Sequence, residues 1–439
     1  MSDGDRPMGQ TLAQKIIARA AGLETVSPGE IVTCAVDLAM VHDSSGPRRQ
    51  APRLQALGVG VWDPDRLVVV SDHFVPAVDA ESARILDLTR KWCRDNGIKN
   101  FYDMQGICHV VLPERGHLKP GMFVAGGDSH SPTGGAFGAF MIGIGATEMT
   151  GVLVRGSIWV KTPHTILVRC SGALPAGVTA KDIMLHLCAR IGMNNNYKVI
   201  EYTGDTVAGL EMSQRLVLTN MAAELGGKTG IIAPDDKTLA AIRAAGAQVD
   251  DDALDWQSDP DASYERVVAV DCAALAPQIA APHSPENSAP VGDYSEAVHI
   301  DQAYIGACTG AKLSDLKMAA QVLKGRRIAA GTRLLVAPAS VRATAEAAAD
   351  GTLAAITEAG GILLPTGCGA CAGYGAGVLA EGETCLSSTA RNFKGRMGHA
   401  TSRVYLGSPY AVAAAAVAGH IVDPREFLAD APATEFGEV

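Results

Sequence analysis

Met122-Phe-Val-Ala-Gly-Gly-Asp-Ser-His130 carries a short apolar run, 122–125, straight onto two glycines and then a carboxylate, a hydroxyl and an imidazole. Read as a strand that ends in a ligand-bearing loop, it has three counterparts in the chain. Leu67-Val-Val-Val70 leads into Ser71-Asp72-His73. Ala303-Tyr-Ile305 leads into Gly306-Ala307-Cys308-Thr309-Gly310. Ile362-Leu-Leu364 leads into Gly367-Cys368-Gly369-Ala370-Cys371. Open α/β sheets bind ligands at the C-terminal ends of their strands, so the four motifs predict one cleft lined by imidazole, carboxylate and thiol. Further strand-like runs at 267–270 and 333–336 alternate with Ala/Leu-rich helical segments at 80–95, 138–154, 205–225, 313–323, 341–348 and 352–358. That alternation predicts α/β layers with largely parallel sheets.

With 439 residues the chain is too long for one ordinary core. Residues 276–296 hold four prolines and little periodicity, which predicts a linker over 276–297 between a 1–275 part and a 298–430 part. The net charge of −10, with no dense Lys/Arg cluster, argues against nucleic acid as the main partner. The segment Met1–Met8 lacks the basic start and apolar stretch of a secretory signal. No stretch approaches the roughly 18 apolar residues of a membrane span, and the Ala-rich run 411–418 predicts a buried helix. The expectation is a cytoplasmic protein whose 10 cysteines are mostly small core residues rather than a disulfide framework.

The reactive residues leave alternatives open. Cys368-x-x-Cys371 in a glycine-rich loop suits a redox pair, half of a zinc site with His399 or Cys385 completing it, or two ligands of an iron–sulfur cluster. Adding Cys308 gives three thiols, and a [4Fe–4S] cluster held by three leaves one iron open as a Lewis acid. Asp72-His73 and Asp128-Ser129-His130 each set a carboxylate near an imidazole, which fixes a tautomer and raises basicity for acid–base work; two ordinary surface pairs are the bland alternative. His109 follows an apparent turn, and Glu201 follows the strand-like 198–200. Arg391-Asn-Phe-Lys-Gly-Arg396 spaces two guanidinium groups around a glycine, a pattern suited to gripping a dicarboxylate or to plain salt bridges.

Together the motifs resemble the aconitase superfamily, nearest its 3-isopropylmalate dehydratase large-subunit branch, from about residue 9 to 428. The resemblance rests on Ser71-Asp-His73, Gly106-Ile-Cys-His109, Gly127-Asp-Ser-His130, Val199-Ile-Glu201, Gly306-Ala-Cys-Thr309, Gly367-Cys-Gly-Ala-Cys371 and Ser388-Thr-Ala-Arg-Asn-Phe-Lys-Gly-Arg396. It implies three-layer α/β/α domains around a [4Fe–4S] cleft, two of them in 1–275 and a third in 298–430, with Cys308, Cys368 and Cys371 as cluster ligands. His73, backed by Asp72, would protonate the leaving hydroxyl. His109, Asp128, His130 and Glu201 would be active-site groups, and His42, Ser129, Arg391 and Arg396 would contact substrate. The implied reaction dehydrates or isomerises a hydroxy-dicarboxylic acid. The implied base sits on a swivelling domain that this chain lacks, so a separate small subunit is expected to supply it.

Two departures from the family pattern stand beside the cluster ligands. Gly310 and Ala390 replace asparagines, which is expected to change the cluster's hydrogen bonding and to enlarge the pocket. The substrate could then be 2,3-dimethylmalate, citramalate or homocitrate. A reading of another class is an RNA-binding or iron-sensing apo-protein, as some relatives are; the acidic charge counts against it.

Overall fold

The structure is a computed structural model that describes residues 9–294 and 297–428. The segment Met1–Met8, the last two residues of the expected 298–430 domain and the acidic tail lie outside the described residues. Two compact units divide the chain. One comprises the residues up to Ala173 with Met193–Cys272; the other comprises Leu174–Gly192 with the chain from Ala273 onward.

The first unit is built on two parallel sheets. One runs in the order Asn100–Asp103, Leu67–Ser71, Leu38–His42, Phe123–Gly126, Phe140–Gly143, all parallel. Its central strands are buried on both faces, which is why they read as unbroken apolar runs rather than alternating ones. Ala39, Val41, Leu67, Val69, Phe123 and Ala125 enter one core. Leu38, Met40, Val68, Val70 and Val124, one residue out of phase, enter the core on the other face. The second sheet orders Thr229–Ile232, Val199–Thr203, Thr165–Ser171 and Arg266–Asp271, again all parallel. A short antiparallel pair, Ile31–Ala35 with Ser157–Lys161, completes this unit's sheets among the described residues.

The second unit holds a seven-stranded sheet in the order Ser288–Pro290, Gln278–Ala280, Arg403–Leu406, Thr384–Ser387, Gln302–Ile305, Arg333–Val336, Ile362–Leu363. Its last five strands are parallel, and the first two join antiparallel. The helix Pro409–Ala418, from the Ala-rich run, is almost wholly buried.

Three expectations change. The segment 205–225 is not one helix but two, Asp205–Gly209 and Met212–Asn220, followed by a short turn at Met221–Ala223. The stretch 276–297 is not a free linker, because Gln278–Ala280 and Ser288–Pro290 pair into the seven-stranded sheet. Pro290 is tolerated because its strand is the sheet edge, where a missing N–H breaks no ladder. The segment 138–154 is not one helix. Phe140–Gly143 is an edge strand, and the helix begins at Ala146 after the break at Gly143 and Gly145. The helices Ala80–Asp95, Leu313–Leu323 and Thr352–Glu358 fall where the sequence places them.

Candidate active site

In a parallel sheet every strand ends on the same side, so the loops that follow neighbouring strands lie together. In the five-stranded sheet those loops carry His42 and Asp43, Asp72 and His73, Gly106–His109, and Asp128–His130. The chain after Asn100–Asp103 turns through Met104, a non-glycine residue at φ 58, before His109. Left-handed backbone at such a residue stores strain, and it recurs at functional turns.

Two groups of side chains form there, His42–Asp43–Asp72–His73 and His109–Asp128–His130. Asp72 is fully buried; one carboxylate oxygen lies 2.7 Å from His73 Nδ1 and the other accepts the Cys108 N–H at 2.7 Å. Asp43, also fully buried, accepts the backbone N–H groups of Ser44, His73 and Phe74. Its carboxylate therefore pins the turn that presents His73. The His42 ring stacks on that of His73, 3.9 Å between centroids and 6° from parallel.

Asp128 receives His109 Nε2 at 2.7 Å and the His130 N–H at 2.8 Å, and stands 3.6 Å from His42 Nε2. His130 Nε2 meets the Glu224 carboxylate at 3.2 Å. Ser129 is exposed between Asp128 and His130.

Charge binds this lattice together. Burial presses the His42 pKa down, but Asp128, Asp43 and Asp72 overcome it and lift the value to about 10. Burial would raise Asp72, yet His73, His42 and the Cys108 N–H bring it to about 2. Asp128, opposed by burial, is held well below the usual carboxylate range by His109, His42 and His130. At neutral pH the site thus holds a protonated His42 between ionised carboxylates.

Glu201 is elsewhere. It accepts from Ser258 at 2.8 Å and Tyr264 at 3.0 Å on the four-stranded sheet, and burial raises its pKa. The glutamate that reaches an imidazole, that of His130, is Glu224, which the sequence reading missed. Asp43 was missed as well, although it directly follows the buried strand Leu38–His42 and could have been found by the same strand-end rule. Glu224 gave no such signal, because it follows a 3-10 turn in a helical stretch.

In the second unit, Cys308 follows Gln302–Ile305, Cys368 and Cys371 follow Ile362–Leu363, and Arg391 and Arg396 follow Thr384–Ser387, all at one edge of the seven-stranded sheet. Ala307, at φ 67, bends the chain into Cys308, and Gly369, at φ 47, turns it between Cys368 and Cys371. Cys308 and Cys371 are buried, and Cys368 is half-buried. Burial raises the Cys371 thiol, while Arg396, which also bonds the sulfur, Arg391 and Lys181 favour its thiolate.

Lys181 was also missed. This buried ammonium, in the first turn of Ala180–Ile191, bonds Thr309 Oγ1 at 3.3 Å and the Ser388 and Thr389 carbonyls at 3.0 and 2.6 Å. Gly310 does not open a pocket: a Cβ there would stand 2.2 Å from Ser388 Oγ, so the serine fills that space.

The chemistry of these donors discriminates between a single metal ion and a larger group. Thiolates bound to one zinc, each about 2.3 Å from it, lie within about 4 Å of one another. The three cysteines form no such compact group among the described residues. None is bridged to another. Three unbridged thiols on two loops of one unit, flanked by cations and by glycines that leave room, fit a group several atoms across, which is what an iron–sulfur cluster is.

The chain has relatives among known proteins. A model of the Aconitase family (aconitate hydratase) matches residues 14–299 and 292–419. The chain is 45% identical over 425 residues to 3-isopropylmalate dehydratase large subunit 1 of Methanopyrus kandleri, covering 96% of this chain and 100% of that one. It is 42% identical over 421 residues to the methanogen homoaconitase large subunit of Methanocaldococcus jannaschii, covering 94% and 99%. In fold it is similar to the holo-form of aconitase X from Thermococcus kodakaraensis, with a TM-score of 0.50 over 96% of each chain; at 13% identity that likeness speaks for the fold alone.

Proposed function

The chain belongs to the aconitase family, and from that premise we propose that it is the large subunit of a hydro-lyase acting on a hydroxy-dicarboxylic acid of the 3-isopropylmalate type. The observation that carries this reading is the Asp72–His73 pair at a buried strand end. With Nδ1 donating to Asp72, the proton for transfer resides on Nε2, and the carboxylate stabilises the imidazolium that gives it to a departing hydroxyl. Asp43 holds the turn, so the imidazole is oriented before substrate arrives. His42, cationic at neutral pH, supplies positive charge for an anionic substrate. His109 and His130, each paired with a carboxylate, are the further proton-handling groups.

Cys308, Cys368 and Cys371 would hold a [4Fe–4S] cluster. When bound, such a cluster supplies a Lewis acid at its open iron, which makes hydroxide a tolerable leaving group. Arg391 and Arg396 would grip a substrate carboxylate, and their charge works against the burial that favours the neutral Cys371 thiol. The names of the relatives, both large subunits, support a second, smaller subunit that completes the enzyme. Among the described residues no helix is long and apolar enough to cross a membrane.

The test is anaerobic reconstitution with iron and sulfide, followed by assay with and without a co-expressed small subunit on 3-isopropylmalate, homocitrate, 2,3-dimethylmalate and citramalate. The expected result is a brown protein that dehydrates one of these only with its partner. A colourless, iron-free chain would sink the cluster, and full turnover by the chain alone would sink the two-subunit reading.

A further inference from the structure

Tyr304 is fully buried at the end of Gln302–Ile305, four residues before Cys308. Its hydroxyl has no hydrogen-bond partner among the described groups. That is unusual, since buried phenols almost always find one. What surrounds the ring is equally specific. Glycine is needed at 306, where a Cβ would stand 2.2 Å from the ring edge and 2.8 Å from the hydroxyl oxygen. A Cβ at Gly369, inside the Cys368–Cys371 turn, would lie 3.5 Å from the same oxygen, so the turn passes directly over the hydroxyl. The Ala370 N–H of that turn faces the oxygen without closing a hydrogen bond. The titratable groups that bear on the phenol are the thiols of Cys371, Cys368 and Cys385. A donor without an acceptor is therefore lodged under a loop of thiols.

We propose that Tyr304 donates its phenolic proton to a sulfur of the bound iron–sulfur group, either cysteine thiolate or inorganic sulfide, and thereby sets its reduction potential and its survival in air. The inference rests on the cluster reading above. Donation to sulfur withdraws electron density and favours the reduced, more negative form, so the potential rises with the strength of the donor. Loss of the donor makes the cluster easier to oxidise. Tyr304 is thus a tuning residue for the cluster and touches no substrate in this proposal.

The experiment compares three full-length chains reconstituted anaerobically: wild type, Tyr304→Phe, and a chain with 2,3-difluorotyrosine at position 304, a stronger donor. Iron and sulfide content is measured first, then the reduction potential by EPR-monitored titration and the rate of bleaching in air. The expected result is equal cluster content, a lower potential and several-fold faster bleaching in Tyr304→Phe, and a shift of opposite sign in the fluorinated chain. Equal potentials and bleaching rates in all three would overturn the role of Tyr304 and leave the cluster standing. Should Tyr304→Phe fail to fold, the fluorinated chain decides alone: a potential equal to wild type overturns the proposal. A wild-type chain that takes up no iron fails the cluster reading first, and this inference with it.

Discussion

Asp72 and Asp43 look alike in sequence, each a carboxylate beside a histidine at a strand end, but they do different work. Asp72 contacts the His73 imidazole at 2.7 Å and can modulate its proton; Asp43 accepts the backbone N–H groups that fix the turn, and adds to the charge that holds His42 protonated. The same distinction separates Glu224 from Glu201. Glu224 meets His130, whereas Glu201, on the four-stranded sheet, accepts the Ser258 and Tyr264 hydroxyls on one of its two oxygens. Glu224→Gln is accordingly expected to lower turnover of the reconstituted two-subunit enzyme by about 10²-fold or more, the usual contribution of a positioned acid–base group. Glu201→Gln should leave turnover within a few-fold and act on thermal stability instead. An equal loss of activity in both variants would reverse the assignment.

Strands at 67–71, 123–126 and 302–305 were legible because both faces are covered, and burial leaves an apolar run; at 333–336 the same holds after exposed Arg333. The short strands at 278–280 and 288–290 were not, because three-residue edge strands tolerate proline and carry almost no pattern. Nor does any local signal say that Ala180–Ile191 joins the second unit. Its capping box of Thr179 and Asp182 marks a helix start, while the strands it lies against come nearly a hundred residues later. That helix matters through Lys181. An ammonium in a first helical turn opposes the helix dipole, and it is retained because three oxygens from two loops receive it. Lys181→Met, similar in length, leaves the Thr389 carbonyl without its ammonium partner and the Ser388 carbonyl with only Thr309 Oγ1, and is expected to destabilise the chain by about 2–4 kcal/mol. Because the loops follow Cys308 and precede Arg391, the same variant should lose iron faster on chelator challenge. Urea unfolding and chelator kinetics check the two effects, and unchanged values in both would remove Lys181 from the site.

For the whole molecule, the charge lattice of the first unit predicts a pH range of stability with two edges. His42, raised to about 10, contributes stability that is complete below its unfolded pKa near 6.5 and fades as pH rises through about 10. Asp72, lowered to about 2, contributes stability that is present above its unfolded pKa near 3.8 and is lost as pH falls toward about 2. Urea unfolding followed from pH 3 to 11 should show both edges, and His42→Gln should flatten the alkaline one; an unaltered alkaline slope would rule out His42 as its source. The sequence by itself determined the α/β class, the strand-end position of each motif and the three cysteines, because burial pattern and glycine turns are local properties that one segment displays alone. Only the tertiary structure decided that Glu224 rather than Glu201 serves the imidazoles, that Asp43 and Lys181 brace the loops, that Ser388 fills the space at Gly310, and that Tyr304 holds an unused donor beneath the cysteines. Each of those depends on what stands opposite a side chain across the fold, and a residue far away in sequence supplies it.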